Sequence, residues 1–235
     1  MSAAGEPEPD GDEHAIDLER IVFFSDAVFA IAITLLILEI RLPELPDPAT
    51  GEEVAEALRS ILPAIGAYAL SFATIGLYWL AHWRRYRSIE RADETLAALN
   101  LVGLGLVAFI PFPTALIGSH GDTPLVVAIY AIALSAAGVA GTVTWLYARR
   151  AGLIRRDLPA ALVRVGALRG LAVPVVMLGS LPLLGVIGPY GVELAWLLIV
   201  PVQLVVVRVA RRGGAGQAAP AGAAGRGRGS ADEPR

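Results

Sequence analysis

The chain has 235 residues, of which 55% are hydrophobic, and its mean hydropathy is +0.61, so a soluble globular protein is excluded. It contains no cysteine, which excludes disulfides, thiolate metal sites and cysteine nucleophiles. All 19 basic residues are arginines, so a Walker-type phosphate loop and a Schiff-base lysine are excluded as well.

The first predicted element is a membrane-spanning helix over residues 21–40, preceded by an acidic segment that predicts a disordered tail over residues 1–14. Twenty apolar residues in a helix extend about 30 Å, the thickness of the hydrocarbon layer. Ser25 and Asp26 lie one turn inside this run, where a carboxylate costs about 2.5–3.5 kcal/mol on insertion scales. We therefore expect Asp26 to face a protein partner or a water-filled cavity. The alternative is that Asp26 only marks the helix start at the lipid headgroups.

The first helix carries an apolar stripe that is separate from its polar residues. At about 100° per residue, Thr34, Leu35 and Leu38 fall within about 60° of Ile31. Ser25 and Asp26 lie roughly 120–140° away from Ile31 on the same helical wheel. If neighbouring helices hold Asp26, the stripe must face lipid or a symmetry axis.

Five further spans follow, and together they define a six-helix membrane domain over residues 15–209. An acidic, proline-rich loop is predicted over residues 42–57. A tail rich in glycine, alanine and arginine, predicted to be disordered, covers residues 210–235. The later spans are predicted at residues 58–80, 96–117, 124–148, 170–187 and 192–209.

The distribution of arginine predicts the orientation of these spans. With six spans, 17 of the 19 arginines lie on the face that also holds both termini, and the opposite face keeps Arg41 and Arg59. Because basic residues concentrate in cytoplasmic loops, both termini are predicted to be cytoplasmic.

An enzymatic site is not expected. The three histidines, His14, His82 and His120, fall in separate parts of the predicted topology, so they do not form a metal or catalytic cluster. Ser25 and Ser71 are the candidate intramembrane serines, but neither lies in a Gly-x-Ser-x-Gly sequence.

The apolar stripe of the first helix has two interpretations. It either packs against other helices in a non-conducting structural or accessory subunit, or several copies surround an axis with Ile31, Thr34 and Leu38 as successive rings. Hydrophobic rings gate a pore by dewetting, and a hydroxyl ring replaces part of an ion's hydration shell. The chain lacks a TVGYG-type carbonyl filter, so an ordinary potassium-channel fold is excluded.

The start of the first span resembles the Arg-x-x-x-Phe-Ser-Asp signature of the transmembrane protein 175 family of lysosomal and prokaryotic potassium channels. The match comprises Arg20, Phe24, Ser25 and Asp26, and the sequence AVFAIAITLLILEI that follows is also similar to the first helix of that family. The resemblance extends from residue 20 to about residue 117, and its further support is Trp79 with His82, Asn100, and the sequence IPFPT at 110–114.

This resemblance implies an all-α subunit that forms a homotetramer in the lipid bilayer, with its first helix lining a central pore. It implies potassium as the permeant ion, without a cofactor or a nucleic-acid partner. A prokaryotic plasma membrane is expected, because lysosomal members carry two six-span units in one chain.

The resemblance also implies a role for each matching residue. By position, Ile31 is the narrow hydrophobic constriction, Thr34 a hydroxyl layer, and Leu35 and Leu38 further apolar rings. The group Arg20, Phe24, Ser25 and Asp26 is expected to hold the helix against its neighbours, with His82 and Asn100 as candidate polar partners of Asp26. Arg20 falls on the stripe side of the wheel, so we expect bending or a nearby carboxylate to draw it aside.

Overall fold

A computed structural model of the chain describes residues 10–157 and 160–199, and within residues 10–17 and 160–164 it describes the backbone alone. The described residues form eight α-helices and two short 3-10 segments, which confirms the predicted all-α class. The helices are α1 Asp10–Leu35, α2 Gly51–Ser60, α3 Leu62–Tyr86, α4 Glu94–Phe109, α5 Pro111–His120, α6 Pro124–Arg150, α7 Ala160–Ser180 and α8 Leu184–Trp196; the 3-10 segments are Leu36–Glu39 and Leu181–Leu183.

Five helical segments of the described chain are long and apolar enough to cross a membrane: Leu18–Glu39, Leu62–Tyr86, Glu94–His120, Pro124–Arg150 and Val165–Trp196. The first four correspond to the first four predicted spans. The fifth is 32 residues long and contains a break at Gly188, whose φ of 71° and ψ of 175° are not helical. This break falls between the fifth and sixth predicted spans, and residues 200–209 of the sixth lie outside the described residues.

The third span is divided by proline. Helix α4 ends at Phe109 and α5 begins at Pro111, because a proline has no N–H with which to continue the helical hydrogen bonds. Helix α6 packs against α4, α5 and α7 and is the most buried of the candidate spans. Small buried residues such as Ala131 and Gly138 let neighbouring helices approach it closely.

Two predicted boundaries differ from the structure. Helix α1 begins at Asp10, inside the predicted tail 1–14, directly after the last proline of the acidic segment. The predicted loop 42–57 contains the start of α2, whose first turn is stabilised by a capping box between Thr50 and Glu53. The Thr50 backbone N–H and hydroxyl both donate to Glu53, and they hold the pKa of this exposed carboxyl below its usual range. Residues 1–9 and 210–235 of the two predicted tails lie outside the described residues.

The two basic loops after the second and fourth spans meet at one end of the bundle. Ile89 and Ile154 form an isolated β-bridge, and the Arg155 N–H donates to the carbonyl of Ser88 over 3.0 Å. Asp93 caps α4 by accepting from the Leu96 N–H at 2.7 Å. The structure therefore places both loops on the same face, as the predicted topology requires.

Candidate functional site

Helix α1 has one packed face and one uncovered face. Ser25, Phe29 and Ala32 of α1 and Leu36 of the 3-10 segment that follows it are spaced by three or four residues, and each is at most 4% exposed. This spacing puts them on one side of a helix, where they contact α3 and α4. The packed face fixes the rotation of α1 relative to the rest of the chain.

The predicted stripe lies on the uncovered face of α1. Ile31 is 58% exposed, Leu35 41% and Leu38 64%, and Thr34 is exposed as well. The Thr34 hydroxyl donates its proton to the carbonyl of Ile31 over 2.9 Å. Because this bond uses the hydroxyl hydrogen, the oxygen lone pairs are left to face outward as acceptors, the polarity that a cation requires.

Ser25 joins α1 to α4 and α3 through a chain of polar side chains. The Asn100 side-chain N–H donates to the Ser25 hydroxyl oxygen at 2.9 Å, and the Ser25 hydroxyl donates to the carbonyl of Ile21 at 2.7 Å. The Asn100 side-chain oxygen lies 3.0 Å from Nε2 of His82. His82 itself stacks on Tyr86, with ring centroids 4.1 Å apart.

Asp26 is held by Trp79, not by the two partners that we considered from the sequence. The Trp79 indole N–H donates to the Asp26 carboxylate at 2.8 Å. His82 instead pairs with Asn100, and Asn100 donates to Ser25. The sequence signal for Trp79 as a partner of Asp26 was its spacing from the candidate His82, because residues three apart in a helix share a face. The alternative that Asp26 only marks a helix end is thus not the arrangement observed.

Phe24 and Arg20 do not hold α1 against the other helices of the same chain. Phe24 is 53% exposed, because it lies two turns before Ile31 and therefore on the same uncovered side. Arg20 is also exposed, and among the described side chains it forms no ion pair. It borders an open groove between the start of α1 and the adjacent parts of α3 and α4.

The arrangement is that of a helix anchored by polar bonds on one side, with an apolar, hydroxyl-bearing side that no described residue of the chain covers. Within the described residues, no group of three or more histidine and acidic side chains is placed to bind a metal ion. This combination defines a helical membrane protein whose first helix presents one face to lipid, to another subunit or to a permeating species.

Comparison with known proteins agrees with this class. Residues 20–111 match the model of the endosomal/lysosomal potassium channel TMEM175 family. A potassium channel of Streptomyces collinus is 36% identical over 149 residues, which cover 60% of this chain and 71% of that protein. A potassium channel of Chamaesiphon minutus is 38% identical over 135 residues, covering 56% of this chain and 66% of that protein.

The fold is also shared with a solved structure. The crystal structure of a lysosomal potassium-selective channel TMEM175 homolog from Chamaesiphon minutus superposes with a TM-score of 0.61 at 28% identity. The match covers 83% of this chain and 97% of that one. The chain belongs to the TMEM175 family, as a prokaryotic, multi-pass membrane member of it.

Proposed function

We propose that this chain is a subunit of a potassium-permeable channel in which four copies surround a central pore lined by α1. Its relatives in Streptomyces and Chamaesiphon are named potassium channels. The fold shared with the solved Chamaesiphon structure extends over most of this chain and of that one. Membership of a family of ion channels also agrees with the prediction that the chain is not an enzyme.

The observation that carries the proposal is the direction of the stripe on α1. The packed face of this helix is occupied by α3 and α4, so Ile31, Thr34, Leu35 and Leu38 point away from their own subunit. In a four-fold assembly these residues form successive rings along the axis. Ile31 is the narrow hydrophobic ring, and water and ions cross it only when it is wide enough to be wetted.

The polar groups that follow Ile31 along the span fit the passage of a cation. The ring of Thr34 oxygens offers lone pairs one turn beyond the constriction. Glu39 and Glu44 follow at the end of the span, where acidic side chains raise the local concentration of cations. The anchor residues Ser25 and Asp26 bond to α4 and α3 and so stay off the axis.

The test is a flux assay in liposomes with potassium and sodium gradients. Ile31→Asn is expected to raise cation flux several-fold or to lower the preference for potassium over sodium, because an amide ring is wetted more easily than an isoleucine ring. Ile132→Asn is the matched control: Ile132 is 56% exposed but lies on α6, outside the proposed pore lining. Equal effects of the two substitutions, or none from either, would remove Ile31 from the constriction.

A non-conducting accessory subunit is the competing function. It predicts that the stripe packs against another protein and that liposomes containing the chain alone show no flux. A stable monomer in mild detergent would favour this alternative, because one copy of α1 does not enclose a pore.

A further inference from the structure

A second polar region lies inside the subunit, away from the stripe of α1. A cavity of about 70 Å³ separates α3, α4, α6 and α7 near the end of the bundle that carries the basic loops. A water molecule needs about 10–15 Å³ of such space, so the cavity is large enough for several waters or one small polyatomic ion. The polar side chains that line it include His82, Arg85, Tyr86, Asn100, Thr144 and Arg169.

Arg85 is the buried charge of this cavity. It is 9% exposed, and its guanidinium donates to the carbonyls of Gly141 at 2.7 Å and Gly166 at 3.1 Å. These carbonyls belong to α6 and α7, so they fix the position of the guanidinium without neutralising its charge. A guanidinium has five N–H donors, and two carbonyls leave donors over for a ligand.

Two glycines, Gly141 and Gly170, leave room for the Arg85 guanidinium. A Cβ at Gly141 would lie 3.0 Å from the Arg85 guanidinium, and a Cβ at Gly170 would collide with it and with the Thr142 hydroxyl. A larger residue at either position would displace the arginine. The sequence thus provides a fitted recess for a charged group in the interior of a membrane domain.

The cavity has a surplus of positive charge and a polar group without a partner. Its described lining includes the exposed Arg84 and the buried Arg85 and contains no aspartate or glutamate. The hydroxyl of Tyr86, a residue only 6% exposed, makes no hydrogen bond in the described structure. Burial of a charge without a counter-charge is unfavourable, so an anion that accepts from Arg85 and Tyr86 would relieve both features.

We propose that this cavity binds a phosphate group. The planar fork of an arginine matches the paired oxygens of a phosphate, and basic pockets between helices on the cytoplasmic side are suited to lipid headgroups. The phosphate comes either from an anionic phospholipid of the inner leaflet or from free inorganic phosphate. The site is separate from the proposed pore, and its occupation does not require conduction.

The first experiment measures thermal unfolding of the purified full-length chain in detergent with increasing inorganic phosphate, against chloride at equal ionic strength. For the wild type we expect Tm to rise with the logarithm of phosphate concentration above Kd, by roughly 5–10 °C at a phosphate concentration of 100 Kd. Tyr86→Phe keeps the ring that stacks on His82 and removes only the hydroxyl, so about tenfold more phosphate should be needed. Arg85→Leu should abolish the response, and Arg150→Gln, an exposed arginine at the end of α6, should leave it unchanged.

A second arm separates the two sources of phosphate. The chain is reconstituted in nanodiscs of phosphatidylglycerol or phosphatidylcholine, and co-purifying lipid is counted by native mass spectrometry for the wild type and Tyr86→Phe. Retention of phosphatidylglycerol that Tyr86→Phe reduces identifies the headgroup as ligand, whereas a response to inorganic phosphate alone identifies the free ion. No response in either arm, or equal responses of wild type and Tyr86→Phe, would overturn the proposal, and neither result bears on flux through the pore.

Discussion

Trp79 on α3 is the hydrogen-bond donor for the carboxylate of Asp26 on α1. An ionised carboxylate near membrane depth is stable only where donors compensate for its lost hydration. The indole N–H supplies one such donor over 2.8 Å, from a helix that also positions His82 against Asn100, the residue that donates to Ser25. These two contacts orient α1 on α3 and α4.

Trp79→Phe is expected to lower the stability of the folded subunit by about 1.5–3 kcal/mol, the contribution of a hydrogen bond to a charged group. The phenyl ring retains the apolar contacts, so the loss isolates the N–H donor. Thermal unfolding in detergent and the yield of assembled protein measure the effect.

Trp83→Phe provides the control for that substitution. Trp83 is 40% exposed, close to the 37% of Trp79, and its ring contacts the guanidinium of Arg87 through its face, which a phenyl ring preserves in part. A loss of stability from Trp83→Phe as large as that from Trp79→Phe would mean that ring size, and not the bond to Asp26, explains the result.

Of the four signature residues predicted to hold the first helix, Ser25 and Asp26 bond to the neighbouring helices, and the partner of Asp26 was not predicted. Ser25 and Asp26 are polar residues in an apolar run, and this alone requires partners. The choice between Trp79, His82 and Asn100 depends on the depth and rotation of α3 and α4, which periodicity within α1 does not determine. Phe24 was assigned to the anchor with its neighbours in the signature, although its position on the wheel placed it on the uncovered side.

At the scale of elements, the break in the helical backbone of α8 depends on Gly188. Its backbone lies at φ 71° and ψ 175°, a region that residues with a Cβ avoid. No atom lies within 4 Å of the position that a Cβ would take at this glycine, so any effect of substitution comes from the backbone.

Gly188→Ala is therefore expected to destabilise the fold by about 1–3 kcal/mol, the typical cost of holding a residue in a sparsely populated backbone conformation. Gly185→Ala, in the helical part of α8 and equally free of neighbours, should be neutral or slightly stabilising because alanine favours helix. Comparison of the two melting temperatures checks the prediction. A Gly188→Ala protein as stable as Gly185→Ala would show that the turn adopts another conformation.

Elements were predicted well where hydropathy defines them and poorly where short-range polar bonds do. The first four spans follow from long apolar runs, whereas the division of the third at Pro111 was not predicted. Helix α2 was missed because it lies in an acidic, proline-rich loop, yet its Thr50 and Glu53 form the spacing of a capping box. The start of α1 was placed too late for a similar reason, since acidic composition was taken to indicate disorder.

For the whole molecule, the function depends on what covers the exposed face of α1. Lipid covers apolar side chains on the outside of any membrane bundle, so exposure in one chain does not distinguish a lipid-facing helix from a pore-lining helix. The composition of the stripe was predicted from the sequence, but its partner depends on the symmetry of the assembly. Ile31 on α1 and Ile132 on α6 are a matched pair for this comparison, since they are 58% and 56% exposed.

The absence of cysteine from the chain makes this comparison direct, because a single introduced thiol has no native competitor. In a four-fold assembly, Ile31→Cys places four thiols around the narrowest part of the axis, and mild oxidation should convert most of the protein to disulfide-linked dimers on a denaturing gel. Ile132→Cys should remain monomeric under the same conditions, because side chains that face lipid in separate subunits are far beyond the roughly 7 Å Cα separation that a disulfide allows. If Ile132→Cys formed the dimers and Ile31→Cys did not, α6 rather than α1 would line the contact between subunits, and the pore would have to be assigned to a different helix.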